Sequence, residues 1–290
     1  MLPFARIVEY GNVAPPKKKL NGDVEVLNPV PVPAARRNAG ACSAQGKIYI
    51  FGGYTGTILK TMQVYDPSDN TFTNLTATPN GRYSTTLSYY NGFIYMYSGN
   101  RNVAGDNNND FWKYEISTDT WTSLSTTGYG NGGSDAYLCT AGDYLYVVSG
   151  DGSNQLYRYN PNLDEWNQLT SVPVNISTNG GACSSDTHIF AMSGGVIYKY
   201  DISTDMWEMK ASQNTVITSR LCYIDGYVYA YGTGTLMVYD VNADSWSSFN
   251  PSPSYNATQN CLVSMYKEDG TPSVYSLFGG GVTSSVYRFT

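Results

Sequence analysis

The sequence predicts an all-β protein, a six-bladed β-propeller, on three observations. Five segments share one frame: VYDPSDNTF (64–72), KYEISTDTW (113–121), RYNPNLDEW (158–166), KYDISTDMW (199–207) and VYDVNADSW (238–246). In each, a tyrosine is followed seven residues later by Trp or, once, Phe. Upstream of each lies a short apolar-alternating run ending in small residues: KIYIFGG, FIYMYSG, YLYVVSG, IFAMSGG and YVYAYGT. A sixth copy, VYSLFGG followed by VYRFT, closes the chain. The repeat length of about 40–50 residues is that of four-stranded blades packed radially.

Each unit reads as four strands. In the first, strand A is AGACSA (39–44), B is KIYIFGG (47–53), C is MQVYD (62–66) and D is TFTNL (71–75). The alternation has period two, as in strands, and no segment sustains a 3.6-residue period. Turn pairs such as Asn91-Gly92 and Asp225-Gly226 join A to B. The Tyr and Trp stripes are predicted to pack between wedge-shaped blades, with polar tips reaching backbone or water. The glycines allow strand B to end in conformations closed to other residues.

The paired glycines and the Tyr-to-Trp spacing resemble the Kelch-repeat family over residues 22–290. That resemblance implies a propeller and says little about activity, because the fold hosts many functions.

The sixth unit lacks an outer strand at the C-terminus. DVEVLNPVPVPAAR (23–36) repeats the order of apolar, Pro and Arg residues that follows Phe72. Residues 23–28 are therefore expected to form the missing strand beside 286–289 and remove an open sheet edge. Residues 1–21 then form an extended arm and linker, and residues 22–290 the propeller. The arm carries Leu2, Phe4, Arg6, Ile7 and Tyr10 ahead of a Gly/Pro/Lys linker, and is the expected contact for a protein partner.

Composition narrows the functional classes. Charged residues are 14% of the chain and the net charge is -6, which argues against a nucleic-acid partner. No run approaches the roughly 18 apolar residues of a membrane span. The N-terminus lacks a signal-peptide core, so secretion by that route is not expected.

No catalytic, cofactor or metal site is predicted. The five cysteines fall on strand A of different units; Cys42, Cys139 and Cys183 each stand eleven residues before a strand-end glycine (Gly53, Gly150, Gly194). Equivalent positions of neighbouring blades lie beyond disulfide reach, so free thiols are expected. The single histidine, His188, has no accompanying ligand or triad motif. GDNNND (105–110) reads as an Asx-rich loop and not a Ca²⁺ loop. Arg36 and Arg82 stand in equivalent places before strand A, where some six-bladed Kelch proteins, the sialate mutarotases, carry channel-mouth arginines; an enzyme of that kind is one alternative.

An antiparallel A-B-C-D order puts the A–B and C–D turns on one face and the B–C and D–A connections on the other. The second face varies in length, and variable loops on a rigid scaffold carry recognition. Tyr54, Arg101, Asn107, Asn108, Asn109 and Tyr129 are its candidate contacts. A weaker, compositional resemblance to bacteriophage tail or neck proteins implies a virion component, present in several copies, assembled in the host cytoplasm and anchored by the arm. A cytoplasmic soluble protein is the alternative location. Binding of a glycan or host receptor by the variable face is the alternative function.

Overall fold

The computed structural model describes residues 18–290 apart from 79, 102–109, 130–134, 151, 177–179, 214–219, 233, 251–259 and 279–283. The described residues form six four-stranded antiparallel sheets. Blade 1 comprises Gly40–Ala44, Lys47–Phe51, Met62–Asp66 and Thr71–Leu75, and blades 2–5 repeat that order along the chain. Innermost strands touch their neighbours in cyclic order, and that of blade 6 (Cys261–Tyr266) meets that of blade 1.

Blade 6 is closed by the N-terminus. Val24–Leu27 pairs antiparallel with Val286–Phe289, with Val24 opposite Phe289 and Leu27 opposite Val286. The chain is tied on before that strand begins. Leu20 is buried against Tyr229 and Phe289, and its N–H donates to the Tyr229 hydroxyl at 3.1 Å. Lys19 lies over the Phe249 ring, and Asn21 N–H donates to the Thr290 carbonyl. The ring thus takes in residues 19–21, which sequence alone assigned to the linker. The arm residues Leu2, Phe4, Arg6, Ile7 and Tyr10 lie outside the described residues.

Strand B is buried on both faces in every blade, because each sheet is sandwiched between two others. Strand D is the exposed outer strand; in Thr120–Leu124 only Trp121 and Leu124 are partly buried. At the end of strand B, Gly53 (φ +99°) and Gly99 (φ +104°) permit close approach of the D–A connection. A side chain at Gly53 would meet the Arg37 carbonyl at 2.9 Å, and one at Gly99 the Tyr83 carbonyl at 3.0 Å.

The Tyr and Trp frame works as an inter-blade clamp with a third member. In blade 2, the Tyr114 hydroxyl donates to Asp119 (2.7 Å), which also accepts the N–H of Thr76 in blade 1 (2.8 Å). The Trp121 indole donates to the carbonyl of the same Thr76 (2.9 Å). Blades 4 and 5 repeat the arrangement through Asp205 and Trp207 on Thr170, and Asp244 and Trp246 on Ala211. In blade 3 the Trp166 indole reaches the Ser125 carbonyl, and Tyr159 donates to Asp164.

Candidate functional site

The variable face carries a ledge across blades 1 and 2. It is positioned by two buried arginines that do the same job in successive repeats. Arg36 donates to the Gly52 carbonyl (3.2 Å) and to Gln63 Oε1 (2.5 Å). Arg82 donates to the Ser98 carbonyl (3.3 Å) and pairs with Asp110 (2.9 Å). Each guanidinium thereby fastens a D–A connection to the end of strand B and the start of strand C in its own blade. Both residues are 1% exposed. Burial pulls Arg36 down to about 10. They are structural ties, and neither presents its guanidinium to a substrate as the mutarotase comparison would require.

The residue after each buried arginine turns outward. Arg37 exchanges backbone hydrogen bonds with Tyr54 (3.1 and 2.9 Å), and Tyr83 does the same with Asn100 (3.1 and 2.8 Å). The Tyr54 and Tyr83 rings meet at 5.9 Å, and the Arg37 guanidinium lies over Tyr54 at 5.4 Å. Arg101 approaches Asp110 at 3.5 Å, on the same carboxylate that Arg82 holds. Arg37, Tyr54, Tyr83, Asn100 and Arg101 are all half-exposed. The ledge therefore offers a paired aromatic surface flanked by two guanidinium groups, with one carboxylate beneath. Such a surface suits a peptide segment with carbonyls and acidic groups.

The expected contacts divide on this face. Tyr54 and Arg101 belong to the ledge. Tyr129 does not: its ring packs on Tyr157 (4.3 Å), Trp166 (4.7 Å) and Tyr97 (5.0 Å), and its hydroxyl is buried. It fills the wedge between blades 2 and 3, so its role is in the core. Asn107, Asn108 and Asn109 lie outside the described residues. Arg37 and Tyr83 went unread in the sequence. Their signal is the register itself, each being one residue past an equivalent buried arginine.

The central channel is a cavity of about 230 Å³ lined by strand A of all six blades. Its described lining holds thiols, hydroxyls and apolar groups, with Arg220 as the charged member and no carboxylate or imidazole. Arg220 of blade 5 donates across the ring to the Thr85 carbonyl of blade 2 (2.8 Å) and lies over Tyr137 (5.4 Å). Hydroxyl bonds link neighbouring inner strands, as from Ser43 to the Ser264 carbonyl and from Ser264 to the Tyr223 carbonyl. All five cysteines are free thiols, as their placement on separate blades requires. Burial pushes Cys139 up to about 12 and Cys261 up to about 11, so both stay protonated.

His188 opens strand B of blade 4. Its ring nitrogens are 2.9 Å from Thr187 Oγ1 and 3.8 Å from Asp201 Oδ2, and burial pulls its pKa down. Among the described residues, no three His, Cys, Asp or Glu side chains gather as a metal site would require.

Residues 23–177, just over half of the chain, match the model of the KLHDC2/KLHL20/DRC7 Kelch-repeats domain. The chain belongs to the Kelch-repeat family. No curated protein matches it. In Kelch-repeat propellers the blades are a scaffold for protein–protein contacts and typically carry no catalysis. The matched span contains the whole ledge on this Kelch propeller, from Arg37 to Asp110.

Proposed function

We propose that this Kelch propeller is a non-enzymatic adaptor that holds a protein partner on the ledge of blades 1 and 2. The observation that carries the reading is the Tyr54–Tyr83 pair with Arg37 stacked on it. These side chains are held half-exposed by two buried arginines and stand on the face where loop lengths vary. Rigid aromatic rings and guanidinium groups are the residue types that concentrate binding energy at interfaces. The adaptor works within a larger assembly, a virus particle, anchored through the segment before residue 18. Residues 19–22 support that arrangement by fixing the arm's origin at the junction of blades 5 and 6.

Site-directed photocrosslinking tests the proposal. A benzoylphenylalanine at position 54 or 83 should give one discrete crosslinked partner in the native particle or extract. The same group at Thr118, in a C–D turn on the opposite face, should not. Equal crosslinking from both faces would exclude the ledge.

A glycan is the second ligand class that the ledge's aromatic and amide groups suit. Specific binding on a glycan array, lost in Arg101→Ala, would favour it over a protein partner.

A further inference from the structure

Blades 2 and 5 face each other across the ring, as do blades 3 and 6, because the inner strands follow one another in cyclic order around six blades. The hydroxyl bonds of the channel wall run from one blade to the next: Ser43 to the Ser264 carbonyl, Ser264 to the Tyr223 carbonyl and Ser184 to the Thr140 carbonyl. Arg220 departs from that pattern. Its Nη2 donates to the Thr85 carbonyl at 2.8 Å, from blade 5 to blade 2. A bond between opposite blades has to cross the axis of the ring.

A second diameter fixes the same point. The guanidinium lies over the ring of Tyr137 in blade 3, at 5.4 Å. On the other side is Cys261 of blade 6: burial raises its thiol, and the positive charges of Arg220 and then Arg36 act against that rise. The group therefore stands where the two diameters cross. Thr85 lies just before strand A of blade 2 (Thr86–Tyr90), Tyr137 opens strand A of blade 3 (Tyr137–Ala141), and Arg220 lies just before strand A of blade 5 (Cys222–Ile224). The D–A connections enter at these strand ends, so the crossing is at the ledge face. Tyr137 is itself buried and donates its hydroxyl to the Gly180 carbonyl of blade 4 at 2.8 Å, which gives the guanidinium a fixed seat.

We infer that Arg220 is a stopper that closes the channel at the ledge face and leaves it a blind pocket, entered from the face of the A–B turns. At that other end the hydroxyl bonds run around the axis instead of across it. A small solute in the channel and a protein on the ledge then use opposite faces and do not compete.

The channel thiols report on the stopper. Cys139, Cys183 and Cys222 line the same cavity as Arg220. The full-length protein and its Arg220→Ala variant would be treated with methyl methanethiosulfonate under native conditions, and each cysteine followed by peptide mass spectrometry. Arg220→Ala should label these three thiols about tenfold faster, the population change that loss of one charge-assisted hydrogen bond brings. Removing a nearby cation disfavours the thiolate and by itself slows the reaction, so faster labelling reports access. Ethylguanidinium added to the variant should slow the labelling again. Backbone amide exchange in the B strands should be the same in both proteins. Where Arg220→Ala does not fold, Arg220→Gln, with a shorter neutral side chain, serves the same comparison. Unchanged labelling, no slowing by ethylguanidinium, or faster labelling matched by equally faster amide exchange would each overturn the proposal.

Discussion

Asn70 donates its side-chain amide to the backbone carbonyl of Asn28 at 3.0 Å while accepting the Tyr65 hydroxyl at 2.8 Å. Blades 2–5 carry Asp at this position and Trp two residues on. Blade 1 has Phe72, which has no indole N–H to give. The amide of Asn70 supplies the donor that Trp supplies elsewhere, so two departures from the repeat cancel.

Asn70→Asp should therefore destabilise the ring by about 1 kcal/mol, since it sets a carboxylate against a carbonyl and loses a donor. Asn70→Asp with Phe72→Trp restores the pattern of the other blades. Chemical denaturation of the two single variants and the double should show a favourable coupling of about 0.5–3 kcal/mol. Additive losses would mean that the substitutions are unrelated.

The Trp indoles should contribute through their N–H as well as their area. Trp207 donates to the Thr170 carbonyl at 2.8 Å. Trp207→Phe keeps most of the ring against Tyr200 and removes this bond, with an expected loss of about 1 kcal/mol in urea unfolding. A loss near zero would mean that water replaces the indole without cost.

The clamp aspartates make stability depend on acid. The Tyr200 hydroxyl, then the Thr170 N–H, hold Asp205 below the ordinary carboxylate value; the Ala211 N–H, then the Tyr239 hydroxyl, do so for Asp244. At Asp119 burial acts upward, and the bonds from Tyr114 and Thr76 outweigh it. A depressed native pKa means that the unfolded chain binds the proton more readily. The clamp's contribution is therefore full above about pH 4 and is lost as pH falls through the lowered native values. Melting temperature should drop in that acid window, and the Asp119→Asn, Asp205→Asn, Asp244→Asn triple variant should show a flatter profile.

Much of this was legible because the repeat constrains it. Tyr and Trp recur since every wedge between blades needs the same filling, and Val24–Leu27 was recognisable from its likeness to the segment after Phe72. The clamp aspartates were not, because a single Asp in a turn looks like any turn former. Arg220 could not be read, since its partner Thr85 is opposite only once the ring is closed. Tyr129 misled for the converse reason. A tyrosine in a long polar connection is expected at the surface, but the Tyr129 ring packs between blades 2 and 3.

The cysteines give a prediction that separates the folded ring from partly opened states. With thiols pushed upward by burial, native protein should react slowly with a disulfide reagent near pH 8, and five thiols should titrate after denaturation. Cys42 is only partly buried as a residue, but burial pushes its thiol up as well, so it should label no faster than the others. Fast labelling of Cys139, Cys183, Cys222 or Cys261 would show that blades separate readily.

The junction of blades 5 and 6 is where the ring depends on chain ends. Strands C and D of blade 6 are joined there by backbone bonds, Thr290 N–H to the Asp23 carbonyl and Asn21 N–H to the Thr290 carbonyl. Leu20, 2% exposed, fills the space beside Tyr229. Leu20→Ala should cost about 2–5 kcal/mol, as for other buried leucines. Removing residues 1–17 should leave the melting temperature unchanged, whereas removing 1–20 should lower it and raise hydrogen exchange first in Val24–Leu27 and Val286–Phe289. Equal stability of the two truncations would show that strand pairing alone closes the ring.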